Sequence, residues 1–98
     1  MKIQLRWKDC DRSKAVESTV IKSVESLSKY SFVQEKAKVE IVYYKKNQTY
    51  KTRINIDVKG GKIIRAEASA NTIYGATNSA VDKIEDQLRR IKTKFIKK

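Results

Sequence analysis

The side chains able to do chemistry in this sequence are cations. Arg89, Arg90, Lys92, Lys94, Lys97 and Lys98 fall within the last ten residues without one acid among them. Clustered lysines and arginines bind phosphate by charge and hydrogen bonding, and they release counterions from a polyanion when they do. The whole chain agrees with that reading. It has 98 residues with 23 basic and 11 acidic side chains, a formal charge of +12. A folded domain that keeps such self-repulsion is expected to meet a polyanion.

Other chemistries lack their reagents. There is no histidine and only one cysteine, Cys10. A Ser-His or Cys-His nucleophile, a CxxC redox pair and a Cys/His zinc site are therefore excluded. Cys10 lies between Asp9 and Asp11, whose charges oppose a thiolate. It reads as an incidental thiol in a reducing cytoplasm. The acids Asp57, Glu67, Asp82, Glu85 and Asp86 show no spacing that assembles a nuclease metal site. No metal, cofactor, small-molecule substrate or enzymatic activity is expected.

These cations need elements to position them. Lys2 to Lys8 alternates, with Ile3, Leu5 and Trp7 on one side, which marks a half-buried strand. Ser13 can cap a helix over about 14–30, buried through Val16, Val20, Val24 and Leu27. Residues 31–36 read as a connection anchored by Phe32 and Val33. Period two returns from Ala37, with Val39, Ile41 and Tyr43 inward. Lys45 to Thr49 reads as a loop, and Tyr50 to Lys59 as a strand with Ile54, Ile56 and Val58 inward. Gly60-Gly61 between alternating runs signals a tight hairpin. Ile63 to Ala70 is the last strand. Asn71 or Thr72 caps a second helix of about 24 residues, or about 36 Å, with Ile73, Thr77, Ala80, Val81, Ile84, Leu88, Ile91 and Phe95 as its apolar stripe.

The order strand, helix, strand, strand, strand, helix predicts an α+β two-layer sandwich. Its four-stranded mixed sheet carries both helices on one face, with the first two strands parallel. One domain is expected over 1–95, followed by a basic end at 96–98. No apolar run is long enough to span a membrane, and Met1 to Arg6 does not resemble a signal peptide. At 100° per residue, Lys83, Arg90, Lys94 and Lys97 line one flank of the second helix, while Arg89 and Lys92 lie on the other. The pairs Glu85→Arg89 and Asp86→Arg90 stand at i,i+4. Tyr44 and Tyr50 flank the basic loop and could touch bases. An RNP-type aromatic platform is absent, and the start of the last helix lacks the pattern of a double-stranded-RNA-binding domain.

Several local strings carry a further signal. Ile3-Gln4-Leu5-Arg6, Ser13-Lys14-Ala15-Val16, Leu27-Ser28-Lys29-Tyr30, Arg65-Ala66-Glu67 and above all Ile73-Tyr74-Gly75-Ala76 continuing through Ala80 to Arg90 resemble the ribosome hibernation-promoting factor family. That family is also called ribosome-associated inhibitor or sigma-54 modulation protein. The resemblance implies a cytoplasmic factor, monomeric when free, whose partner is the small ribosomal subunit and its rRNA. Such proteins occupy the decoding channel, block mRNA and tRNA, and silence translation in resting, stationary-phase or stressed cells, with promotion of ribosome dimers as a further role. By position, Lys22 and Lys29 on the first helix and Lys83, Arg90 and Lys94 on the second would contact rRNA, with Arg89 and Lys92 next. Ser23, Ser26 and Asp86 depart from the family's basic pattern, so the local charge map is redrawn. The resemblance implies the family's short form. The competing reading is a general binder of structured RNA; a membrane-surface helix or a sheet-edge interaction module fits the residues less well.

Overall fold

A computed structural model describes residues 1–96; the side chains of Glu35 and of residues 93–96, and residues 97 and 98 altogether, lie outside the description. The elements follow the expected order: β1 (Lys2–Lys8), α1 (Lys14–Glu25), β2 (Val33–Tyr44), β3 (Thr49–Val58), β4 (Lys62–Ala70) and α2 (Ile73–Ile96). The sheet has four strands in chain order, β1-β2-β3-β4, with β1 parallel to β2 and the others antiparallel.

Register places the alternating apolar residues on one face. Leu5 lies opposite Val39, Val39 opposite Ile54, and Ile54 opposite Ala66. Val20, Val24 and Leu27 join Ala80, Ile84 and Leu88 over that face in one continuous core, so both helices cover the same side. Trp7 packs against this core. The alanines of β4 let α2 approach closely. At its start, a Cβ on Gly75 would stand 3.1 Å from the Ala70 Cβ. One polar contact is sealed inside: the hydroxyls of Thr52 on β3 and Thr77 on α2 lie 3.1 Å apart and wholly buried.

Local chemistry sets the boundaries. Ser13 Oγ accepts from the Val16 amide at 3.5 Å and Thr72 Oγ1 from the Gly75 amide at 3.0 Å, the two expected caps. Gly60 and Gly61 both hold positive φ, +94° and +74°, as a two-residue hairpin demands.

Four expectations are corrected. The first helix stops at Glu25, and Ser26–Lys29 continues as a 3-10 turn. The hydroxyls of Ser26 and Ser28 donate to the carbonyls of Ser23 and Glu25 at 2.7 Å, competing with regular helical bonding. The second strand begins at Val33, not Ala37, because a register irregularity between those residues keeps Val33 paired with Val58. Tyr50 is not a free stacking aromatic: its ring centroid lies 4.8 Å from that of Tyr43 and it packs on the core. Tyr43 is half-buried rather than central. Phe95, expected at the end of the apolar stripe, lies outside the described side chains.

Candidate nucleic-acid interface

The topology sends both helices the same way. α1 returns antiparallel to β1, and α2 reverses from β4 through Asn71 and Thr72. Hydrogen bonds fix the direction of α2. Lys83 Nζ donates to the Glu67 carbonyl and Gln87 Nε2 to the Arg65 carbonyl, each at 3.0 Å. The C-terminal halves of both helices therefore lie at one pole of the molecule. That pole also holds the start of β1 and the Gly60-Gly61 hairpin. Cations there complement the negative ends of the helix dipoles.

This arrangement brings the first helix's cations to those of the second. Lys29, in the 3-10 turn, reaches Glu85 Oε1 at 2.9 Å, and Arg89 Nη2 reaches the same oxygen at 3.2 Å. The Tyr30 hydroxyl approaches it at 3.5 Å. The hydrogen bond from Lys29 is the main reason the Glu85 carboxyl is held below its ordinary pKa, against the opposing effect of partial burial. Lys29 is raised by the same contact, and Arg89 is raised first by Tyr30 and then by Glu85.

Where their side chains are described, the two flanks of α2 meet different surroundings. The Lys83 side of α2 faces β4, where its ammonium is tied to the sheet edge. The Arg89 side faces α1. Arg90 stands 3.9 Å from Asp86, a loose i,i+4 pair. Lys22, in the last turn of α1, and Lys92 are exposed and form no ion pair among the described residues. Lys94 lies in the last turn of α2, but its side chain lies outside the described residues, as do Lys97 and Lys98. Asp82 and Asp86 occupy the outer line of α2 between the two basic flanks; beyond them Arg89 and Arg90 are still matched by Glu85 and Asp86, and Lys92 has no ion pair among the described residues.

Two features escaped the sequence. One is the arrival of Lys29 at Glu85, 56 residues away in the chain, beside the Glu85–Arg89 pair that the i,i+4 spacing predicts. The other is the charge of the sheet's uncovered face. There Arg53 bridges Glu67 at 3.0 Å and Glu40 at 3.6 Å, while Lys51 reaches Glu67 at 3.7 Å. Arg53, by hydrogen bonding, is the main cause of a lowered Glu67 pKa. Tyr44 remains exposed beside the ammonium of Lys51, 5.5 Å from its ring centroid.

No group of three or more metal-ligating side chains occurs among the described residues, and no described helix is long and apolar enough to cross a membrane. Cys10 Sγ donates to the Ile41 carbonyl at 3.7 Å. Burial, then Asp11 and Asp9, raise its pKa despite a backbone hydrogen bond that lowers it, which keeps the thiol protonated.

The fold has solved counterparts. The crystal structure of the Thermus thermophilus Protein Y N-terminal domain matches with a TM-score of 0.81 at 26% identity, covering 93% of this chain and 99% of that one. A ribosomal subunit interface protein from Coxiella burnetii matches at 0.80 with 18% identity, covering 95% and 99%, and at that identity the likeness is one of fold. Residues 3–96 match the sigma 54 modulation protein / S30EA ribosomal protein family. The resemblance carried by the Ile3 to Arg6 and Ile73 to Arg90 strings extends across the whole domain, and the chain belongs to that family.

Proposed function

We propose that this protein is a ribosome hibernation factor. It acts without catalysis, as a single cytoplasmic domain over residues 1–95 that binds the small ribosomal subunit. It sits in the decoding channel, excludes mRNA and tRNA, and holds translation silent in resting cells. Family membership supports the ribosome as partner. The observation that carries the mechanism is the shared direction of the helices, which gathers Lys22, Lys29, Arg89, Arg90 and Lys92 at one pole, with Lys83 at its margin. Lys94 is assigned to the same surface by its place in the sequence. A rigid two-layer wedge with that pole basic suits a groove walled by RNA phosphate.

The test is co-sedimentation with purified small subunits. Lys22→Glu, Arg90→Glu and Lys92→Glu together should abolish it while the circular dichroism spectrum stays native. Unimpaired co-sedimentation would reject the site. Excess unrelated duplex RNA should not displace the wild-type protein; displacement would favour the general RNA-binder instead.

A further inference from the structure

The helical layer accounts for little of the net charge. On α1, Lys14 and Lys22 are offset by Glu17 and Glu25; on α2 through Lys92, three acids oppose four cations. Much of the excess lies on the opposite side of the molecule, and its arrangement points to a second contact surface.

The uncovered face of the sheet divides in two. Towards the 45–48 loop, Arg53 and Lys51 are matched by Glu40 and Glu67. Towards the basic pole, an open hollow of about 610 Å³ crosses all four strands and is lined by Lys2, Lys36, Lys38 and Arg65. None of these four forms an ion pair among the described residues, and Asp57 is the one acid in the described lining. Lys2 lies directly opposite Lys36 in the parallel ladder. Like charges at facing positions are destabilising, so folding stability alone does not account for this placement.

The spacing suits a phosphate chain. Neighbouring strands lie about 4.8 Å apart and alternate residues along a strand about 6.6 Å. Lys2, Lys36 and Lys38 are thus one such step apart, and Arg65 stands two strands beyond β2. The floor adds a different chemistry. Asn55, opposite both Lys38 and Arg65, has a buried Oδ1 without a hydrogen-bond partner, and Ile63 is 52% exposed at the rim. An acidic peptide would bring carboxylate acceptors on its flexible side chains and N–H donors only along its backbone, so the two would not lie on one regular strand. An RNA strand brings phosphate acceptors and, in its 2′-hydroxyl, a donor for Asn55.

We infer that the uncovered sheet face binds the sugar–phosphate backbone of an RNA strand, through Lys2, Lys36, Lys38, Arg65 and Asn55. The protein then contacts RNA on both of its faces. On the ribosome, this inference rests on the proposed function; as a property of the isolated chain it does not.

Two measurements separate the cases. The full-length ¹⁵N-labelled protein is titrated with a twelve-nucleotide oligouridylate and, separately, with polyglutamate of equal charge. RNA should shift the amides of Lys2, Lys36, Lys38, Asn55 and Arg65. Shifts confined to the helices, or equal shifts with polyglutamate at the same concentration, would overturn the site. Second, Lys2→Gln, Lys36→Gln, Lys38→Gln and Arg65→Gln are combined and small-subunit binding is followed against salt. The log–log salt slope should become shallower by about 3, and affinity at low salt should fall at least about tenfold. An unchanged slope and affinity would remove this face from the complex while leaving the ribosome reading intact. Oligouridylate shifts at this face without any wild-type ribosome binding would do the reverse.

Discussion

Lys29 and Glu85 meet at 2.9 Å although 56 residues separate them, and their contact bridges the first helical segment to the second. Because Arg89 uses the same carboxylate oxygen, one acid aligns cations from two elements. Glu85 is therefore both a structural pin and a negative charge inside a basic surface.

Those two roles separate with pH. The folded carboxyl titrates below the ordinary glutamate value of 4.5, chiefly because of the Lys29 hydrogen bond. A lowered acid stabilises the fold above its unfolded pKa, and that contribution is lost as pH falls through the folded value. Glu85→Gln should thus melt below wild type at pH 7, with the gap closing as the medium is acidified beneath 4.5. A gap that is constant from pH 7 to pH 3 would show that the ion pairs contribute nothing.

The same substitution should act oppositely on binding. It removes a negative charge and releases Lys29 from its nearest acid. Affinity for small subunits should rise by about two- to fivefold, the range of one exposed ion pair. In single alanine variants, Lys22 and Lys92 should matter more than Lys29, whose charge is already matched. Filter binding at fixed salt decides this, and equal losses at all three positions would contradict it.

The buried hydroxyl pair should be strongly non-additive. Thr77→Val leaves the Thr52 hydroxyl without its partner inside the core, at a cost of about 1–3 kcal/mol. Adding Thr52→Val removes the stranded group and should recover much of the loss. Urea unfolding of both single variants and the double variant measures the coupling; a double variant equal to the sum of the singles would show that the hydroxyls do not interact.

Gly61→Ala places a side chain at φ +74° where no neighbouring atom lies within 4 Å of its Cβ. The effect is purely one of backbone strain, about 1–2 kcal/mol. Asparagine, which tolerates the left-handed region, should be milder. Identical urea midpoints for Gly61→Ala and wild type would mean that the hairpin relaxes to another turn.

For wild type, log affinity for small subunits should fall with log salt at a slope of about −4 to −5 if about six phosphates are neutralised. A slope near zero would reject an electrostatic interface.

The fold was legible because its signals are local. Alternation over Lys2–Lys8, the Gly60-Gly61 pair and the stripe from Ile73 to Leu88 each report a neighbourhood a few residues wide. The first helix ends sooner than its apolar spacing predicts, because the hydroxyls of Ser26 and Ser28 bond to backbone carbonyls while the spacing continues. Of the interface, the basic flanks of α2 could be placed by helical phase. So could the i,i+4 acids that match Arg89 and Arg90; the neutralisation of Lys29 could not, since Glu85 is distant from it in sequence. The facing lysines at positions 2 and 36 also depend on a parallel register that periodicity does not set.

The sheet order repeats the chain order, and this bears on how the molecule assembles. The two hairpins close short loops, and α2 folds back directly on β4. Only β1 must wait for a long excursion, from Lys8 to Val33, before its ladder forms. Loop-closure entropy therefore sets the amino-terminal strand as the last to dock. Kinetic φ-values should be low at Leu5 and high at Ile56. The nascent protein would hold a nucleus of three strands and a helix, and the lysine pair at positions 2 and 36 would come into being only with the final step to the native state.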